Sequence, residues 1–160
     1  MARLKFIADG MLGKLTRWLR MLGQDVVYSR SLTDQQLIET AKAQNRILLT
    51  RDLTLHQRAH RQGADSALVE GQTEAEKLAN LAGHYDFELE IDITASRCPK
   101  CNSPIRPVAK QQIKDQIPEA TFSHYQDFWE CPGCGQIYWQ GSHWTRIRKT
   151  LKEAEGLKNR

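Results

Sequence analysis

The sequence predicts an α/β fold: a mostly parallel sheet with helices on both faces, followed by a small zinc ribbon with four cysteine ligands. Short apolar segments alternate with segments of helical periodicity up to residue 93, which is the pattern of a parallel sheet with crossover helices. All four cysteines lie beyond that point, in two C-x-x-C motifs. We therefore expect an α/β domain over residues 1–93, a zinc ribbon over residues 94–145 and a basic helix or tail over residues 146–160.

Four strands are predicted in the first domain, and each is followed by a helix. Short apolar segments bounded by polar residues predict strands at residues 3–8, 25–29, 46–50 and 66–70. Helical spacing predicts helices at residues 11–23, 33–45, 53–63 and 73–83. In a sheet of this kind, ligands bind outside the carboxyl ends of the strands, so we expect a functional site at that edge.

Capping residues support the predicted helix ends. Apolar side chains recur at three- and four-residue spacing from Met11 to Leu22, and Gly23 follows as a C-cap. Thr33 or Asp34 is placed to cap the second helix at its N-terminus, and Gly63 closes the third.

The chain is mildly basic, with a net charge of +4 and a pI near 8.9. Basicity alone is weak evidence for nucleic-acid binding, but the cations cluster in two stretches, as a phosphate-binding surface requires. The predicted phosphate contacts are Lys14, Arg17, Arg20, Arg146, Arg148 and Lys149. Two solvated helix faces would produce the same pattern.

No stretch of the sequence predicts export or membrane insertion. The first residues have a basic flank without the apolar segment of a signal peptide, and no apolar run approaches the roughly 20 residues of a membrane span. We therefore expect a cytoplasmic protein with no membrane partner, whose thiols stay reduced.

The two C-x-x-C motifs predict a metal site. Each motif places two sulfurs on one side of a tight turn, and two such turns complete tetrahedral zinc coordination. The predicted ligands are Cys98, Cys101, Cys131 and Cys134. Because four thiolates leave no open position on the metal, the zinc is predicted to be structural. Trp139 and Trp144 lie beside the basic tail and are candidates for base stacking, although aromatic residues also build the cores of small ribbons.

Three aspartates occupy equivalent positions in the predicted α/β domain. Asp9 and Asp52 each follow a strand, and Asp34 opens a helix, so their carboxylates are expected at the same edge of the sheet. Converging carboxylates repel unless a hard divalent cation such as Mg²⁺ or Mn²⁺ neutralises them. Such a site suits phosphodiester hydrolysis. Asp34 and Asp52 would also serve as simple helix caps, and Arg51 would reach a phosphate or pair with an acid.

The segments "FIADGMLGKLTRWLRMLG" and "ILLTRD", together with the paired C-x-x-C motifs, resemble a family of PIN-like ribonucleases, the mutator-seven C-terminal ribonuclease domain. The resemblance runs from residue 3 to about residue 150. It implies a PIN-like α/β nuclease domain with a C-terminal zinc ribbon, and a metal-dependent acidic site at Asp9, Asp34 and Asp52. A typical PIN nuclease has a fourth acid, and "GADSALVEG" contains no clear equivalent.

These observations predict a ribonuclease that uses Mg²⁺ or Mn²⁺ and acts on RNA, with tRNA and ribosomal RNA as candidate partners. The main alternative is an adaptor that binds RNA without cutting it. A toxin-like nuclease with an inhibitory partner is a third hypothesis, and the absence of a glycine-rich phosphate loop disfavours a phosphatase or nucleotide-binding enzyme. PIN-like domains often pair, so the resemblance also allows a homodimer.

Overall fold

The computed structural model describes residues 4–159. Its first sheet has four parallel strands in the order β2-β1-β3-β4. The strands are β1 (Lys5–Ala8), β2 (Asp25–Tyr28), β3 (Ile47–Thr50) and β4 (Ser66–Leu68). All four predicted strands are present; the predicted start of the first at residue 3 lies outside the described residues.

A helix follows each of these strands, as predicted. The four helices are α1 (Gly13–Met21), α2 (Asp34–Gln44), α3 (Leu53–Arg61) and α4 (Glu74–Tyr85). Thr33 caps α2 through a capping box, in which the Thr33 hydroxyl accepts from the Gln36 backbone and the Gln36 side chain accepts from the Thr33 backbone. Thr73 caps α4 in a similar way, because its hydroxyl accepts from the Glu76 backbone.

The C-terminal part forms a second, antiparallel sheet and a final helix. The sheet contains β5 (Arg106–Val108), β6 (Phe128–Glu130) and β7 (Ile137–Tyr138), in that order. A 3-10 helix (Lys110–Gln116) and α5 (Glu119–His124) fill the connection between β5 and β6. The basic tail forms α6 (Trp144–Lys158), which continues as helix almost to the end of the chain.

Helices cover both faces of the parallel sheet. Phe6 and Leu49 belong to a core that includes residues of α1, α4 and α6, whereas Ile7 and Leu48 belong to a second core with α2 and α3. This alternation follows from the strand period of two, since neighbouring residues point to opposite faces. The predicted fold class, a parallel α/β sheet followed by a cysteine-bearing ribbon, is confirmed.

The first C-x-x-C turn docks against the exposed edge of β2. The Val26 N–H donates to Asn102 Oδ1 over 3.0 Å, and Asn102 Nδ2 donates to Asp25 Oδ1 over 2.8 Å. Arg46 pairs with the same Asp25 oxygen at 2.8 Å. Burial alone would raise the pKa of Asp25, but the hydrogen bonds and positive charge of its neighbours hold that pKa below its usual value. The contact covers a strand edge that would otherwise be free to pair.

Within residues 4–159, the helices are all too short or too polar to cross a lipid bilayer.

Candidate active site and metal centre

The carboxyl ends of β1 and β3 form the point at which the chain reverses direction across the sheet. From β1 the chain passes through α1 to β2 on one side, and then returns through α2 to β3 on the other. Such a reversal opens a crevice at the carboxyl ends of the two central strands. Asp9 directly follows β1, and Asp52 lies two residues after β3.

Asp9 is held by two hydrogen bonds. Its Oδ1 accepts from the Met11 N–H over 3.0 Å, and its Oδ2 accepts from the Thr50 hydroxyl over 2.9 Å. Thr50 is fully buried, and its Oγ1 in turn accepts from the Asp52 N–H over 3.0 Å. The threonine that ends β3 therefore links the Asp9 carboxylate to the backbone of Asp52.

Asp52 is the N-cap of α3. Its Oδ1 accepts from the Thr54 N–H over 2.9 Å and from the Leu55 N–H over 3.3 Å. The helix-cap interpretation of Asp52 is therefore confirmed. The side chain is also exposed, so its second oxygen remains accessible at the carboxyl edge of the sheet.

Asp34 is the first residue of α2 and is exposed, and because Thr33 is the cap of that helix, Asp34 has no capping role. Asp34 and Asp9 line one open cleft of about 1130 Å³, whereas Asp52 lies outside its lining. Among residues 4–159, the three carboxylates do not form a group whose oxygens all lie within 4.8 Å of one another. Asp9 and Asp34 therefore line one cleft. Asp52 lies outside that lining, but Thr50 links its backbone N–H to the Asp9 carboxylate.

Positive charge dominates the same cleft. Lys14 and Arg17, both predicted phosphate contacts, line it with exposed side chains. Two further exposed cations, Arg30 and Lys100, also line it and were not predicted. Arg30 lies just after the carboxyl end of β2. The rule that ligands bind at the carboxyl ends of parallel strands could therefore have predicted its position in the cleft. Lys100 reaches the cleft only because the first C-x-x-C turn docks beside it.

Tyr28 shapes the wall of this cleft. Its hydroxyl donates to the Gly10 carbonyl over 2.6 Å, and Arg30 Nε lies 3.4 Å from the same hydroxyl. A Cβ at Gly13 would lie only 3.0 Å from the Tyr28 hydroxyl, so a larger residue there would require the tyrosine side chain to shift by a few tenths of an ångström. The contact holds the loop after β1 against the end of β2.

Arg20 lines the cleft but is only 7% exposed, unlike the other cations. Its guanidinium donates twice to the Val26 carbonyl, over 3.0 and 2.8 Å, and once to the Pro99 carbonyl over 2.9 Å. Burial lowers the pKa of this guanidinium, an effect that the neighbouring cysteine sulfurs partly oppose. The geometry disfavours the predicted phosphate contact and gives Arg20 a role in fastening the first C-x-x-C turn to α1 and β2.

Arg51 also makes contacts to backbone carbonyls. Its Nη1 donates to the carbonyls of Val69, over 3.2 Å, and Gly71, over 2.7 Å. The side chain holds the loop after β4 beside the end of β3. The predicted contact between Arg51 and a phosphate stays a prediction. The residue is exposed, so a ligand could reach it.

Glu74 is an acid of the carboxyl edge that the sequence reasoning missed. It is the first residue of α4, and it lines a second groove together with Lys14 and Arg17. Its Oε2 pairs with Lys77 at 2.8 Å, whereas its Oε1 is buried without a hydrogen-bond partner among the described residues. The signal was the capping sequence "TEAE", which places an acid in the first turn of a helix that begins at the carboxyl edge of the sheet.

The predicted aromatic contacts lie between the ribbon and α6. Trp139 is half-buried and packs near Phe128, with 6.1 Å between the ring centroids. Trp144 begins α6, and the Arg148 guanidinium lies 5.6 Å from its ring centroid. Arg146, Arg148 and Lys149 are all exposed on α6, which leaves them free to contact a polyanion.

The four cysteines form one compact cluster. Their sulfurs all lie within 4.8 Å of one another, and the Cys98–Cys134 and Cys101–Cys131 pairs are 3.7 and 3.3 Å apart. Four sulfurs about 2.3 Å from a tetrahedral zinc ion would be about 3.8 Å apart. The separations therefore fit a shared metal ion, and the four thiols are free rather than joined as disulfides.

The pKa values of two of the cysteines are shifted in opposite directions. Hydrogen bonds from the Ser103 backbone and hydroxyl lower the pKa of Cys101 to about 6, whereas burial raises the pKa of Cys131 to about 12. A Cβ at Gly133 would overlap the Ser103 hydroxyl oxygen and lie 3.3 Å from Cys101 Sγ, so a larger residue there would displace the Ser103 side chain where the two turns meet. Because thiolates are the form that binds metal, a cation in the cluster would favour deprotonation of all four.

Comparison with curated proteins found no match, and comparison with solved structures found none. Comparison with models of protein families matched residues 4–151 to the Mut7-C RNAse domain. The match includes both sheets, the cleft and the four cysteines. The chain therefore belongs to the Mut7-C RNAse domain family, which suggests a ribonuclease-like function.

Proposed function

We propose that this protein is a metal-dependent ribonuclease whose active site is the cleft at the carboxyl ends of β1 and β3. The observation that carries the proposal is the pairing, in one cleft, of the carboxylates of Asp9 and Asp34 with a larger number of cations. Carboxylates supply a divalent metal site, and the cations supply the attraction for the phosphate backbone. The family membership supports the same reaction class.

The acidic side chains fit a hard divalent cation. Asp9 and Asp34 would hold it, with Asp52 as a further ligand from the end of β3. Mg²⁺ keeps several water ligands and needs only one or two direct carboxylate ligands, so the remaining aspartates would contact the ion through its water ligands. When bound, such an ion lowers the pKa of water and neutralises charge on phosphoryl oxygens. Glu74 is a candidate for the acid that completes the site.

The protein's own residues position the substrate. Met11 and Thr50 orient the two Asp9 oxygens. Lys14 and Arg17 would bind the phosphates on either side of the cleaved bond, because both line the cleft and the groove beside it. RNA is the proposed substrate, and tRNA and ribosomal RNA are the first classes to test.

The cysteine cluster is proposed to hold structural zinc. Four sulfur ligands close the coordination shell, so this metal would stabilise the ribbon without taking part in the reaction. Its effect on the active site would be indirect, since the first C-x-x-C turn carries Lys100 into the cleft and Pro99 onto Arg20. The ribbon and the exposed cations of α6 would extend the RNA-binding surface.

The alternative function is RNA binding without cleavage, and one observation favours it. The three predicted carboxylates, all within the described residues 4–159, are not gathered into a compact cluster, and Asp52 is engaged as a helix cap. An adaptor would use the same cations and the same ribbon. Metal-dependent cleavage is therefore the property that separates the two functions.

The test is incubation of total cellular RNA with purified protein, with Mn²⁺, with Mg²⁺ and without added divalent ion. Wild type is expected to cleave only with metal, and Asp9→Asn is expected to be inactive while it retains its fold and its zinc. RNA that is bound in a gel-shift experiment but stays intact with either metal would favour the adaptor. Cleavage by Asp9→Asn at the wild-type rate would remove Asp9 from the site.

A further inference from the structure

A third cavity, lined largely by apolar groups, lies where the ribbon, α6 and the end of α1 meet. Its volume is about 230 Å³, below the roughly 300–1,000 Å³ of pockets that hold drug-sized ligands. We call it the aromatic pocket. Its aromatic lining residues are Trp129, Tyr138, Trp139 and Trp144. Three of the four tryptophans of the chain thus surround one small cavity.

We propose that the aromatic pocket binds a single unpaired nucleobase of the RNA whose backbone occupies the cleft. This inference rests on the proposed function and adds a substrate class to it: RNA with unpaired nucleotides. Aromatic rings bind bases of any sequence by stacking, because every base has a π-face. A base inside a duplex is stacked on its neighbours and cannot enter a pocket of this kind.

The position of the pocket favours a base over an unrelated apolar molecule. Pro99 lines the cleft, the groove beside it and the aromatic pocket, and Met21 lines both the groove and the pocket. The three cavities therefore adjoin one another around Pro99, beside α1. A strand whose phosphates contact Lys14 and Arg17 would reach the pocket through the groove, whose two acids are Glu74, already paired with Lys77, and Glu153.

Charge and hydrogen-bonding groups at the pocket also suit a nucleotide. Arg97 lines it, and the Arg148 guanidinium lies over the Trp144 ring at 5.6 Å, so cations stand beside the stacking surface. Gln140 and His143 line the pocket with exposed side chains, and either can hydrogen-bond to a base edge. An apolar wall with cations beside it is the combination expected for a base attached to a phosphate.

The test compares two RNA probes without added divalent ion, so that no cleavage occurs. One is a fluorescein-labelled adenylate decamer, and the other is the same ribose-phosphate decamer without bases. Fluorescence anisotropy is expected to show that wild type binds the intact decamer roughly 5- to 150-fold more tightly, the range that follows from about 1–3 kcal/mol per stacked base. Trp144→Ala should lose most of this preference and should bind the abasic decamer like wild type.

Control variants separate stacking from folding. Phe122→Ala removes another half-buried aromatic residue of the ribbon, one outside the pocket, and should keep the preference for the intact decamer. Trp144→Phe should retain most of it, because a phenyl ring still stacks. Zinc content and circular dichroism of each variant should match wild type. The salt dependence of binding should be unchanged in Trp144→Ala, since no phosphate contact is lost.

Equal binding of the two decamers by wild type, or an undiminished preference in Trp144→Ala, would overturn the proposal and leave the pocket to an apolar protein segment. Manganese-dependent cleavage of RNA together with equal binding would reject the base pocket alone and leave the proposed nuclease intact. A wild-type protein that neither binds the decamers nor cleaves RNA would contradict both.

Discussion

Thr50→Val is the substitution that most sharply tests how the active site is built. The hydroxyl of this fully buried residue donates to Asp9 Oδ2 over 2.9 Å and accepts from the Asp52 N–H over 3.0 Å. Valine has nearly the same shape but forms neither bond. A bond to a charged carboxylate contributes about 1.5–3 kcal/mol and one between neutral groups about 0.5–1.5 kcal/mol.

The free energy of unfolding of Thr50→Val should therefore fall by about 2–4 kcal/mol, which leaves a typical domain folded at 25 °C. Thr50→Ser is the matched control. It keeps the hydroxyl and removes one buried methyl group, at a cost of about 0.8–1.5 kcal/mol. Both values can be measured by urea denaturation at pH 7, followed by tryptophan fluorescence and fitted with a common slope.

The same pair of variants tests the role of Thr50 in the proposed reaction. Without the hydroxyl, Asp9 keeps only its bond from the Met11 N–H and can rotate away from the cleft. A misplacement of about 1 Å can reduce a rate roughly 100-fold, so RNA cleavage should fall at least tenfold in Thr50→Val and change little in Thr50→Ser. A Thr50→Val protein as stable as wild type would refute the hydrogen-bond argument, and one that is fully active would refute the positioning argument.

Three further predictions concern the metal centre, the ribbon contact and the cleft. Cys134→Ser removes one of the four sulfurs, so the zinc content and the melting temperature should both fall; stoichiometric zinc at an unchanged melting temperature would contradict this. Asp25→Asn should lower stability by about 1–3 kcal/mol at pH 7. Because the folded pKa of Asp25 lies below its usual value, its contribution is present above the unfolded pKa and is lost as the pH falls through the folded pKa, so the urea midpoints should converge in acid. Arg17→Ala should reduce the salt dependence of RNA binding by about one phosphate contact, whereas Arg61→Ala, on the exposed end of α3, should not.

Local patterns in the sequence were sufficient to predict the α/β framework. The alternation of Leu48 and Leu49 between two cores and the capping box at Thr33 both depend on residues within a few positions of each other. The rule for parallel sheets, which needs only the alternation of strands and helices, places Asp9 and Asp52 at the same edge of the sheet. That β1 and β3 are neighbouring strands is visible only in the structure. The predicted strands and helices are present because periodicity and capping residues are local properties of the sequence.

The roles of individual cations depended on contacts between distant parts of the chain. Spacing along α1 placed Arg20 with Lys14 and Arg17, but its guanidinium is held by a carbonyl 79 residues away, at Pro99. Lys100 lines the cleft for the same reason, because the ribbon docks beside α1. No periodicity in a single sequence encodes that docking. The link that Thr50 makes between Asp9 and Asp52 could not be predicted either, because its hydroxyl contacts the end of a strand 41 residues away in the sequence.

In the proposed function, the Asp9 carboxylate supports metal-dependent cleavage of RNA. Its most direct test is the single-turnover cleavage rate of an unstructured, end-labelled RNA in Mn²⁺ by wild type, Asp9→Asn and Asp86→Asn. Asp86 is exposed and has a left-handed backbone that asparagine also adopts, so its substitution removes a carboxylate without disturbing the fold. Loss of a group that holds the metal removes several kcal/mol of stabilisation, so Asp9→Asn should be slower by about 100-fold or more while Asp86→Asn matches wild type. Equal rates for all three proteins would exclude Asp9 from the active site, and no cleavage by wild type would contradict the proposed ribonuclease activity.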